Sequence, residues 1–343
     1  MSETNHILNV GIDLGTSHSA ISASNGQRHV VDSYVGWPVD MVARKILKRS
    51  VLIGQEALEN RTMLDLRRPL ERGLIKEGSE KDAAAVHALL QHVLALVGVK
   101  ADDPERPQVR AVVGVPAEAL RVSKQHLRQA LKGVADRLMI VSEPFAVAYG
   151  LNALVHTLII DIGAGTTDFC VMKGRYPTDE DQRTLDMAGD AIDLRLHSLL
   201  RERHPTAQFS MHMVREWKEK WSFVGTTTTR AMVTVPMAGK PTRLDITQEI
   251  RAACESLVPP VLETMLELVS RVEPEFQEKV RHNITLAGGG SQIVGLGQAL
   301  EQALGDIGGG RVQMVHDVVF AGADGGLALA LDAVDADWEK LVV

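Results

Sequence analysis

Two stretches of this chain share one build and lie about half a chain apart. In VGIDLGTSHSAI (residues 10–21) an apolar run reaches Asp13, turns through Gly15, Thr16 and Ser17, and returns as a second apolar run. In IIDIGAGTTDFCVMKG (residues 159–174) the run reaches Asp161, turns through Gly163, Ala164, Gly165, Thr166 and Thr167, meets Asp168, and returns. A turn made of Gly, Thr and Ser presents backbone N–H groups that can converge on an anion. A Cβ at those positions would block the approach. Each turn also carries an aspartate, and a bare carboxylate repels a phosphate. The pairing makes sense if a divalent cation sits between them, since Mg²⁺ bridges carboxylates to phosphates and keeps several waters. Asp13 and Asp161, one from each half, are then expected to face each other across a cleft.

A third glycine turn, AGGGSQ (287–292), precedes a helical pattern. Gly288, Gly289 and Gly290 would let the backbone pass close to a flat ligand or its α-phosphate. Any one such turn could be a bare strand-to-helix connection. Three in one chain, two with matched aspartates, favour a nucleotide. Rival motifs fail: no GxxxxGK[ST] occurs, GAGTTD and GGGSQI lack the last glycine of GxGxxG, and there is no HExxH. His87 and His92 are spaced wrongly for one helix face and are read as surface or core residues.

Hydrophobic periodicity places strands at 7–14, 18–23, 28–33, 109–116 and 137–142, and helices at 81–97 and 118–132. EPFAVAYGLNAL starts a helix with Pro144 in its first turn, where its missing N–H costs nothing. A hairpin is expected over 158–174, helices over 187–204, 211–221 and 248–272, and a second hairpin over 226–247 turning at AGK. Residues 36–75 turn polar and arginine-rich, with short helices around 55–66. Strand blocks alternate with mixed blocks twice, which predicts an α/β protein of two related halves with insertions at 36–75 and about 188–247. With 343 residues the chain is long enough for two cores.

A net charge of −7 argues against nucleic acid as a partner. The short cluster RKILKR (44–49) is read as solvated surface. Cys170 and Cys254 are read as buried thiols in a reducing compartment. No apolar run reaches about 18 residues, and MSETNHILNV has no signal-peptide pattern. A cytoplasmic protein is expected.

Taken in order, GIDLGTS, VVGVPA (112–117), SEPFAVAYG (142–150), DIGAGTTD and ITLAGGGSQIVGL resemble the motifs of the ATPase superfamily of actins, heat-shock chaperones and sugar kinases. The length fits bacterial actins, because a chaperone would add a peptide-binding domain and a sugar kinase is usually longer. RRPLERGLI (67–75) resembles the segment returning from the small subdomain of actins. WKEKWSFVG (217–225) resembles the stretch whose Lys-Glu pair reaches the nucleotide, here Lys218 and Glu219. Together with VGWPVDMVARKIL, these segments look most like the actins that organise magnetosome chains. Cell-shape actins are the nearest competitor; they commonly carry an amphipathic N-terminal helix or an exposed apolar membrane loop, and no such N-terminal helix is found.

The resemblance implies an actin-like ATPase fold, with two related domains of βββαβα topology around a nucleotide cleft and a smaller subdomain inserted in each. The expected division is 1–35, 76–147 and 322–343 for subdomain IA, 36–75 for IB, 148–187 with 248–321 for IIA, and 188–247 for IIB. It implies hydrolysis of ATP to ADP and phosphate, with ATP and Mg²⁺ as cofactors. Asp13 and Asp161 would hold the hydrated metal. Glu143 would orient the attacking water, or serve only as a helix-cap carboxylate. Gly15, Thr16, Ser17, Gly163, Ala164, Gly165 and Thr166 would cradle phosphates, and Gly288, Gly289 and Gly290 would back the nucleotide. Asp168 either braces its hairpin or approaches the metal. Where eukaryotic actin has a phosphate-contacting lysine this chain reads SHSA, so His18 either partly substitutes or caps the hairpin. The implied partners are further copies of the chain in a filament and magnetosome-associated connector proteins, without direct membrane insertion. The rivals are a cell-shape actin, a non-polymerising actin-fold adaptor and a small-molecule kinase. LDAVDADWEKLVV (331–343) is too acidic and short for the adaptor's C-terminal anchor.

Overall fold

The two Asp-turn units form the central hairpins of two separate sheets. The computed structural model describes residues 7–71, 74–75, 80–100, 103–117 and 135–340. The helix expected over 118–132 lies outside the described residues. The first sheet runs in the order Arg137–Ser142, Gln108–Val115, Ile7–Leu14, His18–Ala23, Arg28–Asp32. The second runs Val312–Met314, Ile284–Ala287, Val155–Ile162, Thr167–Lys173, Gln182–Leu185. In both, the central strand pairs parallel with the neighbour on one side and antiparallel with its own hairpin partner on the other. This is the duplicated actin-like α/β fold, and Asp13 and Asp161 occupy the same place in it, the seventh residue of an eight-residue strand.

Alternating side chains divide the second sheet between two cores, as a pleated strand requires. Leu158, Ile160, Ile162, Phe169 and Val171 face the helices of the second half. Ile159, Cys170 and Met172 face the other way, into a core shared with Val112, Met139 and Val141 of the first sheet. Two helices cross inside that shared core, Glu143–Gly150 and Ala321–Asp332. Their close approach depends on small residues. A Cβ on Gly325 would lie 1.9 Å from the Ala146 carbonyl oxygen of the other helix, and one on Gly11, in the central strand of the first sheet, would lie 2.0 Å from that of Ala323. Both cysteines are buried and free.

The insertion at 36–75 is more ordered than its polar composition suggests. It holds the Met41–Leu47 helix, capped by Asp40, and a three-stranded sheet of Val35–Pro38, Leu52–Ile53 and Leu64–Arg67. The short helices expected around 55–66 are Gln55–Glu59 and a single turn at Arg61–Met63, and residues 64–66 are strand. These strands are only two to four residues long, too short for periodicity to declare them. The 248–272 segment is two helices, Thr247–Glu255 and Val258–Ser270, because Pro259 and Pro260 open a new first turn. The predicted hairpin is Met232–Met237 with Lys240–Asp245, and Ala238 and Gly239 both have positive φ, as a tight two-residue hairpin turn demands.

Candidate functional site

Three carboxylates meet where the two sheets face each other. Asp13 ends the central strand of the first half, and its register partner is Gly114. The bare Cα of Gly114 leaves room for Glu143, whose Cγ would lie 3.3 Å from a Cβ placed there. Glu143 opens its helix directly from the Arg137–Ser142 strand, so strand and helix fix the carboxylate above the sheet edge. Asp161 ends the central strand of the second half. A Cβ on Gly322 would come within 2.5 Å of Asp13 Oδ2, and one on Gly288 within 2.3 Å of Asp161 Oδ1. A glycine is packed against each of the three acids.

The electrostatics follow from this crowding. Burial pushes Asp13 up to about 6. Burial, then the neighbouring charges of Asp13 and Asp168, holds Asp161 well above the usual carboxylate range. Glu143 is raised by burial and then by Asp13, Asp168 and Asp161. Burial leads all three shifts, and a bound cation would offset the charge that burial penalises. The carboxylate oxygens of Asp13 and Asp161 are the donor type that Mg²⁺ prefers.

Asp168 is braced rather than free. It lies opposite Asp161 in the hairpin and accepts hydrogen bonds from the Ala117 N–H at 2.8 Å and the Thr184 hydroxyl at 2.5 Å. His18 pairs with Asp32, directly across its hairpin, at 3.0 Å. The first turn is further fixed by Ser33, whose hydroxyl donates to the Gly15 carbonyl at 2.7 Å and whose N–H donates to that of Ser17 at 2.8 Å. In the second turn the Gly163 N–H donates to Thr166 O at 2.9 Å. The carbonyls of Gly163 and Ala164 accept from the N–H groups of Gly189 and Asp190, at 3.2 and 2.7 Å. Thr16 and Thr166 are buried. In the third turn Gly288 has φ +70°, Gly290 packs on Ile162, and a Cβ on Gly289 would meet nothing within 4 Å. That open side suits a flat ligand.

Lys218 and Glu219 lie in different surroundings. Lys218 Nζ donates to Gly189 O at 2.9 Å and pairs ionically with Asp193 at 2.8 Å, beneath the second turn, whereas Glu219 is exposed. The sequence reading missed the residues around Lys218. Arg68 donates from Nε to Thr16 O at 2.8 Å and grips Asp190 with both terminal nitrogens at 2.7 and 3.2 Å. Arg215 donates to Asp190 at 3.1 Å, to Asp193 at 3.3 Å and to the Tyr34 hydroxyl at 2.7 Å. A signal existed. Asp190 and Asp193 on one helix and Arg215 and Lys218 on the next are both spaced i, i+3, so each pair shares a face of opposite charge.

A duplicated sheet pair with matched aspartate turns is the framework of the actin-like fold. The model of the MreB/Mbl protein family matches residues 7–330, and the chain belongs to that family. Within it, the likeness is to MamK. The actin-like protein MamK of Paramagnetospirillum magneticum is 42% identical over 333 residues, covering 97% of this chain and 94% of that one. A solved MamK double helical filament superposes with a TM-score of 0.92 at 41% identity, over 96% of this chain and 100% of that one. A non-polymerising point mutant of MamK bound to AMPPNP superposes with a TM-score of 0.73 at the same identity and coverage. The cell-shape-determining protein MreB of Pasteurella multocida is more distant, at 29% identity over 48% of this chain.

Proposed function

We propose that this chain is an ATP-hydrolysing actin that polymerises head to tail into cytoplasmic filaments organising a magnetosome chain. The observation that carries the catalytic part is the meeting of Asp13, Asp161 and Glu143 between two glycine turns of matched geometry. Support for the assembly part comes from the likeness to the MamK filament subunit.

In this reading the turns at Gly15–Ser17 and Gly163–Thr166 hold the phosphates, and Gly288–Gly290 passes behind the nucleoside. Asp13 and Asp161 would hold Mg²⁺, which when bound would neutralise charge developing on the transferred phosphoryl group. Glu143 lies beside both aspartates and would orient the attacking water. Two halves closing on one nucleotide fix the angle between them. A fixed angle presents a constant head-to-tail surface, and such a contact propagates instead of closing. Hydrolysis then weakens the contact by the difference in affinity between the two states. The subdomain division at 36–75 and 188–247 assigns one inserted unit to each side of the cleft. Connector proteins on the magnetosome would be the further partners.

Sedimentation with and without ATP and Mg²⁺, together with electron microscopy and phosphate release, tests the reading. Filaments that need ATP support it; monodisperse protein over a wide concentration range defeats it. Loss of the gene in a magnetotactic host is expected to disperse the chain, whereas rounded cells with an intact chain would indicate a cell-shape actin.

A further inference from the structure

The polar groups around Arg68 tie together parts of the chain that belong to opposite sides of the cleft. Arg68 follows the last strand of the three-stranded sheet in the 36–75 insertion, and Tyr34 precedes its first. Asp190 and Asp193 lie in the first turns of the Gly189–Arg203 helix in the second half, and Arg215 lies on the Met211–Trp221 helix beside it. The guanidinium of Arg68 spans the gap at both ends. Its Nε holds the Thr16 carbonyl of the first phosphate turn, and its two terminal nitrogens take both oxygens of Asp190. The backbone of Asp190 continues the link, since its N–H donates to Ala164 O in the second phosphate turn at 2.7 Å. One chain of hydrogen bonds therefore runs from turn to turn through two residues, Arg68 and Asp190. Arg215 adds a second bridge, from Asp190 and Asp193 to Tyr34.

We propose that Arg68 is a positioning residue that couples the two phosphate turns to the angle between the halves, and so sets how readily the nucleotide-bound chain assembles. The inference rests on the assembly reading above. Three features point to a coupling element rather than an ordinary surface pair. The Arg68 and Asp190 side chains are only 21% and 32% exposed. The grip is bidentate, which fixes orientation as well as distance. The partner carboxylate is itself held, because Asp190 is shared with Arg215, whose other bonds go to buried Asp193 and to Tyr34.

The chemistry makes the side chain hard to replace. Lysine offers a point charge, and one ammonium cannot span the Thr16 carbonyl and both oxygens of Asp190. Arg68→Lys is therefore expected to behave much as Arg68→Ala does. Asp190→Asn keeps the shape and removes the charge, and should give the same phenotype from the other side. Loss of a bidentate charged pair of this burial corresponds to about a tenfold to hundredfold change in the equilibrium it biases.

The test measures three quantities for wild type, Arg68→Ala, Arg68→Lys, Asp190→Asn and the Arg68→Ala/Asp190→Asn double variant: the KM for ATP, single-turnover hydrolysis by dilute monomer, and the critical concentration for sedimentation. Thermal melts accompany each variant. The expected result is a critical concentration raised about tenfold or more with the KM changed less than about threefold, and a double variant no worse than either single. Critical concentration unchanged in Arg68→Ala overturns the proposal. So does a KM that rises in step with the critical concentration, which would make Arg68 a direct phosphate ligand, and so do additive losses in the double variant. If wild type itself fails to sediment with ATP, the assembly reading falls. The coupling is then read from AMPPNP-induced protection of the 35–71 segment against proteolysis, which wild type should show and Arg68→Ala should lose; protection retained in the variant overturns it.

Discussion

Asp13→Asn should stabilise the cation-free fold while abolishing hydrolysis, and the size of the gain can be worked from the site. In the folded chain burial raises Asp13 from 3.8 to about 6. Roughly two pK units correspond to about 3 kcal/mol of penalty for holding the charge. The sign follows from proton binding. Between the two pKa values the folded chain binds more protons than the unfolded chain, so this contribution to stability is present in full below the unfolded value and is lost as pH rises toward about 6. Asparagine keeps the shape and has no proton to lose. The variant's advantage should therefore open above the unfolded pKa, be about half developed near pH 5, and be complete above about pH 6. For a chain of this length the full effect is about 3–6 °C in unfolding midpoint. The assay is thermal unfolding of wild type and variant in chelator at about pH 5 and about pH 8, repeated with Mg²⁺ and nucleotide. Cation and nucleotide should raise the wild type more than the variant, because only the wild type has a buried charge for the cation to compensate. An Asp13→Asn variant no more stable than wild type at the higher pH would refute the reasoning. An offset equal at the two pH values would do the same.

Three further outcomes follow from the same geometry. Asp161→Ala should lose hydrolysis in a phosphate-release assay, since the second carboxylate facing the metal is gone; wild-type turnover in this variant would sink the assignment of the metal site. Glu143→Ala spares the glycine turns, so ATP should still bind and filaments should still form, while turnover falls by about 10²–10⁴ and disassembly stalls; a variant unable to bind ATP would show that the residue only supports the helix. Gly288→Ala should fold poorly and lose nucleotide binding, because φ is +70° and the added Cβ would meet Asp161 Oδ1 at 2.3 Å and Ile162 O at 2.5 Å; a soluble variant that binds ATP normally would show that the turn can shift.

The fold was legible wherever a signal was repeated. Two Asp-turn hairpins half a chain apart announced the duplication, and their strand limits agree with the structure to within a few residues. Asp13, Asp161 and Glu143 were legible because each ends or begins an element whose pattern is strong. What stayed hidden was contact between elements that are weak or distant in sequence. Val35–Pro38 and Leu52–Ile53 are too short to carry a period, and Arg68 and Tyr34 sit at the margins of that small sheet. Arg68 meets a residue 122 positions away, a distance at which local pattern is silent. Gly114 and Gly322 were passed over because a lone glycine in a strand or helix has several meanings. Only the packing shows that each makes room for an acid.

The duplication also explains why a symmetric frame yields an asymmetric centre. The central hairpins match, but the residue opposite Asp13 is Ala20 and the residue opposite Asp161 is Asp168. The outer parallel strands diverge more. In the first half Arg137–Ser142 runs straight into a helix, and the first residue of that helix is Glu143. In the second half Val312–Met314 leads into an irregular stretch before the Ala321–Asp332 helix, and its Asp317 is drawn aside to Arg28 at 2.7 Å. Asp317 accordingly keeps an ordinary exposed pairing, with its carboxyl held low by Arg28, while Glu143 is driven up by burial and by three neighbouring acids. In the proposed mechanism the first half would supply Glu143 as the group beside the attacking water, and the second would supply the braced Asp168 and the Gly288–Gly290 turn. On that reading neither half alone could hold a cation, a phosphate chain and an attacking water, so the chemistry would require both halves together.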